Sequence, residues 1–358
     1  MIVFLVIISI VLLITSALPF IKNQHWIFRV PEFLKLQILI IQIPIFFLSL
    51  WYFKESILLK ILNVIQLLFI IYHIFIFIRY TKILKKKPIS KASKSSESIK
   101  IISVNVYQFN TQFQKLIALI EKEKPDILLT MESNEDWEKA LRILEKEYKF
   151  THKVTLENTY GMHLYSKLKL IKAKTHFFVA DDLPSIEAEL ETKEGYKFLL
   201  FGVHPPPPSP TEEATSKERD GDLLSIAKRI RNIESEVICI GDFNNVAWSE
   251  SSKLFRKTSE LIDARVGRGL ICTFHANYWF FRVPLDLIFH TPNIFIEELK
   301  TYPSIDSDHF PLGCSFHINF SNNEQDAEVE TLEKGEIEQV NELIEEGKKE
   351  ESTNREPQ

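Results

Sequence analysis

Three long apolar runs occupy the first eighty residues. Residues 1–21 carry no charged side chain, residues 36–53 none between Lys35 and Lys54, and residues 61–78 none between Lys60 and Arg79. A helix needs about 20 apolar residues to cross roughly 30 Å of hydrocarbon. Each run therefore reads as a transmembrane helix, with Pro44 as a kink point in the second. Asn63, Gln66 and His73 in the third either face neighbouring helices or stand as isolated polar residues in a span. The first run lacks the Lys or Arg that opens a secretory signal, and two more spans follow, so it reads as a retained helix.

Beyond residue 98 the period changes. "IKIISVNV" (99–106) is a β-branched run and reads as a buried strand. In "TQFQKLIALIEKEK" (111–124), Phe113, Leu116, Ile117 and Ile120 recur at helical spacing, and Pro125 ends the helix before a second strand, "DILLTM" (126–131). Asn134 is placed to cap a helix through about residue 147, with Trp137, Leu141 and Leu144 on one face. Short runs at 161–166, 169–179, 185–191 and 196–203 are separated by polar or Gly/Pro breaks, as in antiparallel strands. A third helix is expected at 221–233, then strands at 236–242, 271–275, 285–290 and 312–318. Many strands with a few interspersed helices are satisfied by two packed sheets flanked by helices.

Charge divides the chain further. Residues 321–358 hold 13 Asp/Glu and 4 Lys/Arg, a net of −9 against −5 for the whole, so the remainder is about +4. Such a tail is expected to be solvated and disordered. Residues 81–97, rich in Lys and Ser with Pro88 among them, read as a basic linker, leaving 98–320 as the folded domain. Positive charge follows the first and third spans (Lys22, Arg29 and Lys35; then Arg79, Lys82, Lys85, Lys86 and Lys87). The positive-inside rule then sets the amino terminus outside and everything after residue 80 in the cytoplasm, as a multi-pass protein of the cell membrane. Cys239, Cys272 and Cys314 are widely spaced, form no CxxC and fit free thiols in a reducing compartment.

The strands share one peculiarity: they stop in polar residues. The first ends in Asn105, the second in Glu132, the strand at 196–203 in His204, and "VICIGDFNN" in Asp242 and Asn244; Asp286 lies in "VPLDLIFH", and Asp308-His309 precede the last strand. Burying an unpartnered carboxylate or amide costs several kcal/mol. Any one of these is explicable as a turn, a cap or a structural histidine; six together imply converging strand ends that form a site. Carboxylates, amides and two imidazoles suit a hard divalent cation with phosphate, Mg²⁺ foremost and Mn²⁺ as the alternative. HExxH, GxxxxGK[ST] and GxSxG are all missing, which argues against a zincin, a P-loop nucleotide site and an α/β-hydrolase.

In order along the chain, "SVNV", "LLTMES", "GVHPPPP", "CIGDFNN", "PLDLIF" and "DSDHFPL" resemble the endonuclease/exonuclease/phosphatase superfamily, over about residues 98–320. The three leading spans and "HPPPP" are similar to a bacterial membrane-attached subgroup. The resemblance implies a deoxyribonuclease I-like four-layer αββα sandwich. It implies Glu132 as the main Mg²⁺ ligand with Asn105 and Asp308 nearby, Asp242 and Asn244 on the attacking water and phosphate, His309 paired with Asp286, and His204 on the phosphate. Either Asp242 or His309 would take the proton of the water. Arg219, Asn277 and Arg282 are further candidates for contacting substrate, His163 reads as a tolerated strand histidine, and "HPPPP" as a stiff rim. The expected activity is hydrolysis of a phosphodiester or phosphomonoester, in nucleic acid or in a phospholipid or its headgroup, by a domain attached to the lipid bilayer. The competing reading is a catalytically silent membrane scaffold that binds phosphorylated ligands. Nothing in the sequence points to an obligate protein partner.

Overall fold

The computed structural model of the chain describes residues 1–84 and 97–351. Most of the basic linker, including Lys85, Lys86, Lys87, Lys91 and Lys94, lies outside the described residues.

The leading apolar runs form α1 (Ile2–Ala17), α3 (Lys35–Trp51) and α4 (Ile57–Ile78), with a short α2 (Trp26–Phe33) before α3. Two helices, Ile2–Phe20 and Ile57–Ile78, are long and apolar enough to cross a membrane. α2 and α3 meet at 70° and supply a third span if the bent pair counts as one. α3 runs unbroken through Pro44; the bend falls at Leu34 instead. Asn63 of α4 faces α3, where Ser49 Oγ donates to its Oδ1.

The remaining strands are β1 (Ile99–Asn105), β2 (Ile127–Met131), β3 (Phe150–Val154), β4 (Met162–Ser166), β5 (Lys169–Phe177), β6 (Pro184–Glu191), β7 (Lys197–Val203), β8 (Glu236–Asp242), β9 (Ile262–Asp263), β10 (Asp286–His290), β11 (Ile294–Thr301) and β12 (Leu312–Ile318). The helices are α5 (Phe113–Glu123), α6 (Glu135–Leu141), α7 (Lys217–Arg231), α8 (Glu250–Ser259) and α9 (Glu336–Lys349). Two six-stranded mixed sheets result, ordered β11-β12-β1-β2-β4-β3 and β5-β6-β7-β8-β10-β9. Their inner faces share one core that includes Ile101, Leu129, Leu200, Ile240 and Phe316. The outer face of the first sheet packs Ile102, Val104 and Leu128 against Leu116, Ile117 and Ile120 of α5 and Trp137 and Leu141 of α6. The outer face of the second packs Phe201, Cys239 and Phe289 against Leu223 and Ile226 of α7 and Phe255 of α8. The expected arrangement of two sheets flanked by helices is therefore present.

Three further sequence readings need correction. No strand forms at 271–275; Phe274 makes only isolated bridges, to Val283 and to His309. The helix capped by Asn134 leaves α geometry after Leu141 and continues as a 3₁₀ turn over Arg142–Lys146. The acidic tail is not disordered along its length, because α9 docks on α7. Val340 and Ile344, four apart on one face, bury with Leu224 and Leu254. Each such side chain is worth about 1.5–3 kcal/mol on burial. Around them Lys217 pairs with Glu350 at 2.8 Å and Lys257 with Glu336 at 2.8 Å, but such pairs near the surface add only about 0–1 kcal/mol each. The apolar stripe therefore decides the docking and the charges set its register.

The second sheet's side of the domain also meets the leading apolar helices. Trp248 Nε1 donates to the Glu32 carbonyl at 2.8 Å, and its ring lies 4.9 Å from Phe77 and 5.7 Å from Tyr80, at the end of α4. Ser216 N donates to the Gln24 carbonyl at 2.8 Å, and Trp26 N to that of Ala214 at 3.0 Å. The folded domain is thus clamped to the ends of the apolar helices.

Candidate active site

Strand direction gathers the polar ends. β1 and β2 run parallel with Asn105 opposite Met131, which delivers Asn105 and Glu132 to one edge. In the second sheet β7 and β8 run parallel with Val203 opposite Gly241, and β10 runs antiparallel with Asp286 opposite Asp242. His204, Asp242 and Asp286 therefore share the matching edge. β12 runs antiparallel to β1, so the residues before it, Asp308 and His309, return to that edge as well. The approach of β7 to β8 requires glycine at 241: a Cβ there would lie 2.1 Å from the Val203 carbonyl oxygen.

A network of hydrogen bonds and close ion contacts ties these residues together. The Asn105 amide bridges the two sheets, donating to Glu132 Oε1 at 2.8 Å and to Asp242 Oδ2 at 3.2 Å. His309 Nδ1 donates to Asp286 Oδ2 at 2.8 Å, and its Nε2 lies 3.4 Å from Asp242 Oδ2. His204 Nε2 is 3.8 Å from the same oxygen. Asn105, Asp242, Asp286, His204 and His309 are all buried, whereas Glu132 and Asp308 remain partly open. Glu132 and Asn244 hold positive φ, 59° and 46°, a conformation costing about 1–3 kcal/mol for a non-glycine residue. Backbone amides reward it: Gln108 N donates to Glu132 Oε2 at 3.0 Å and Asn244 N to Asp242 Oδ1 at 2.9 Å.

The electrostatics follow from this packing. Burial raises Glu132 to about 7, the nearby Asp308 adds to the rise, and the bonds from Gln108 and Asn105 oppose it. Burial also raises Asp242, with Asp286 pushing the same way against His309 and His204. For His309 burial works downward, but Asp242 and Asp286 overcome it and hold the imidazolium up to about 10. His204, buried and only partly offset by Asp242, falls to about 4 and is neutral. Among the described residues its Nδ1 and Asp286 Oδ1 have no hydrogen-bond partner.

The remaining candidates fall elsewhere. Arg219 is buried, donating through Nε and Nη2 to Asp220 Oδ1 at 3.0 and 2.8 Å and through Nη1 to the Asn244 carbonyl at 3.2 Å. It braces the Asp242–Asn244 turn from behind rather than facing the opening. Asn277 is exposed on a loop beside the site. Arg282 lies over the Phe310 ring at 4.5 Å. Asn244 donates its side-chain amide to the Pro205 carbonyl at 2.9 Å, which ties the proline rim to the site. Asn245 anchors α8 instead, donating to Ser251 Oγ at 2.8 Å. Phe243 packs outward, 5.3 Å from both Phe255 and Phe289. His163 contacts Thr155 Oγ1 at 3.0 Å on the far side of its sheet, with burial lowering it to about 4.

Sequence reasoning missed several supports. Ser307 Oγ donates to the Asn105 carbonyl at 2.8 Å and accepts from His309 N at 3.0 Å. Thr273 Oγ1 accepts from Asp286 N at 3.1 Å. Phe274 packs on the His309 ring at 5.0 Å. Tyr160 lies 5.3 Å from the His204 ring and donates to Glu212 at 3.4 Å. Of these only Ser307 carried a signal, in "DSDHFPL".

Two sets of donors are candidates for a metal. Asp242, Asp286 and His309 bring ligand atoms within 4.8 Å of one another. There, however, His309 already lies between the two carboxylates, bonded to Asp286 Oδ2 and 3.4 Å from Asp242 Oδ2. Glu132 with Asp308 offers hard oxygen donors, and a carboxyl raised to about 7 beside a second carboxylate is a position short of positive charge.

A model of the Endonuclease/Exonuclease/phosphatase family matches residues 102–309. No curated protein matches. Among solved structures, D. rerio TDP2 in complex with single-strand DNA product is 18% identical, with a TM-score of 0.52, covering 62% of this chain and 100% of that one. The human Nocturnin catalytic domain with bound sulfate is 19% identical, with a TM-score of 0.50, covering 63% and 96%. A Bacteroides vulgatus protein of the family is 20% identical, with a TM-score of 0.50, covering 63% and 100%. The structural likeness carries the fold alone; the family model covers more than half of the chain. With its motifs, its paired sheets and its strand-end network in agreement, this chain belongs to the endonuclease/exonuclease/phosphatase family.

Proposed function

We propose that the chain is a membrane-anchored, Mg²⁺-dependent phosphoesterase, with its catalytic domain in the cytoplasm, that hydrolyses a phosphodiester or phosphomonoester. The observation that carries this reading is the network joining Asn105, Glu132, Asp242, Asp286 and His309 at one edge of both sheets. Glu132 and Asp308 would hold the cation, with Asn105 steering Glu132. A divalent cation there supplies charge neutralisation at the phosphoryl oxygens and lowers the pKa of bound water. His309, protonated and fixed by Asp286, holds a phosphoryl oxygen rather than accepting a proton. That leaves Asp242 as the base for the attacking water. Asn244 and Arg219 keep its turn in place. His204, neutral, offers an imidazole nitrogen to the phosphate.

The test uses the full chain in detergent with bis-p-nitrophenyl phosphate, mixed phospholipids and a single-stranded oligonucleotide, each with Mg²⁺, Mn²⁺ or EDTA. Metal-dependent turnover of at least one ester is expected, reduced a hundredfold or more in Asp242→Ala and His309→Ala. No metal-dependent turnover of any ester would leave the silent-scaffold reading standing. A reporter fused after Lys87 that is active only outside the cytoplasm would reverse the orientation.

A further inference from the structure

Beside the site, one surface feature has no role in the hydrolysis. Tyr278, Trp279 and Phe280 are 50, 82 and 63% exposed, side by side at the tip of one loop. Large apolar residues scattered singly on a surface need no explanation, but three in a row do.

The stem of this loop joins two parts of the molecule. On one side it is fused to the catalytic wall: Ala276 N donates to the Asp308 carbonyl at 2.6 Å, and Phe274 packs on His309. On the other side it touches the first turn of α3. Gln37 Nε2 donates to the Arg282 carbonyl at 3.3 Å, and Phe281 shares an apolar cluster with Phe33 and Leu36. That turn is where the polar approach ends and the apolar helix begins. If α3 enters a bilayer, the loop lies at its surface, the layer that Trp and Tyr favour. The other lip of the cleft is also aromatic, with Tyr107 and Phe109 39 and 53% exposed on either side of Gln108, whose amide holds Glu132.

We infer that Tyr278, Trp279 and Phe280 form a lip immersed in the headgroup layer of the membrane that holds the apolar helices, and that the site takes its phosphate ester from a lipid. The substrate half of this inference rests on the hydrolase reading above. In the reaction, the oxygen of a water bonds to the lipid phosphorus, one P–O ester bond breaks, and the water's proton ends on the departing alkoxide. Nucleic acid fits the surroundings less well, because a strand needs several free cations along its backbone. Lys115 pairs with Asp306 and Arg219 is buried against Asp220, which leaves Arg282, stacked over Phe310, as the cation of the loop stem.

The experiment reconstitutes the full chain and Trp279→Phe in nanodiscs of phosphatidylcholine, with and without brominated acyl chains. The emission lost on substitution reports Trp279 alone. Brominated lipid is expected to quench that difference at least twofold; equal emission in both nanodiscs would overturn the lip. In parallel, wild type with Mg²⁺ is offered nanodiscs containing phosphatidylcholine, phosphatidylethanolamine, phosphatidylglycerol, phosphatidylinositol and phosphatidic acid, or a single-stranded oligonucleotide, or bis-p-nitrophenyl phosphate. Release of headgroup or phosphate from lipid at least tenfold faster than oligonucleotide cleavage is expected. Oligonucleotide or small-ester cleavage without lipid turnover overturns the lipid substrate and leaves the hydrolase intact. Failure on all three overturns the hydrolase reading and the lipid substrate with it, while the quenching result still decides the lip.

Discussion

Carboxylates gather in two places in this chain and behave in opposite ways. At the seam between α7 and α9 they meet cations: Glu336 pairs with Lys257 at 2.8 Å and Glu350 with Lys217 at 2.8 Å. Burial there works against ionisation of Glu336, but the Glu333 amide and Lys257 outweigh it and its pKa falls. At the strand ends the carboxylates are buried, bonded to amides and set near one another. Burial raises Glu132 to about 7 and raises Asp242 too, with His309 as the cation drawn between Asp242 and Asp286. The first arrangement holds a helix in place. The second opposes folding and is the kind of environment that functional sites retain. The comparison teaches that acidity alone says little; what matters is whether the fold brings each acid a partner.

The sharpest way to break this contrast is Asp242→Asn. Turnover of bis-p-nitrophenyl phosphate should fall by about 10²–10⁴-fold, the usual range for loss of a general base, while the melting temperature stays the same or rises because a buried charge has gone. A marked drop in stability would mean that Asp242 is structural.

Asp222 supplies a third case, a buried acid with neither a cation among the described residues nor a place in the network. Burial and Glu218 raise it from 3.8 to about 8. Below about pH 4 both states are protonated and the group costs nothing. As pH rises through the window up to about 8, the unfolded chain ionises while the folded one does not, so stability falls, by up to ~1.4 kcal/mol per pH unit. Asp222→Asn should flatten this slope in denaturant titrations at pH 5 and pH 8. An unchanged slope would place the titration elsewhere.

Val340→Asp addresses the seam. Charging a position buried against Leu224 and Leu254 should cost about 2–4 kcal/mol of docking. The loss should appear as rapid proteolysis between 321 and 335, with catalysis changed by no more than about threefold. Lys257→Ala is the mildest probe. Its ion pairs are worth under about 1 kcal/mol, and that small loss should vanish in high salt. An effect of Lys257→Ala larger than that of Val340→Asp would mean that charge, not the apolar stripe, holds α9.

The same contrast explains what could be read from the chain. An apolar run that stops in Asn105, Glu132 or Asp242 is visible because burial of an unpartnered polar group is costly, so the strand ends announced a site. The tail concealed itself: Val340 and Ile344 sit four apart among 13 acids, and the lysines that receive them lie some eighty to a hundred and thirty residues earlier. Arg219 was legible as a cation near the site but not as one already held by Asp220, a neighbour in sequence whose role depends on how α7 begins. Thr273, Gln108 and Phe274 carried no signal, because a loop's hydrogen bonds and ring contacts follow from the closed fold rather than from residue type.

The most direct test is the response of thermal stability to Mg²⁺, in the full wild-type chain and in Glu132→Gln. A site short of positive charge at Glu132 predicts that Mg²⁺ raises the wild-type melting temperature in a saturable way, by the linkage of binding to folding, and leaves Glu132→Gln unmoved. An equal rise in both proteins, or none in either, would contradict it.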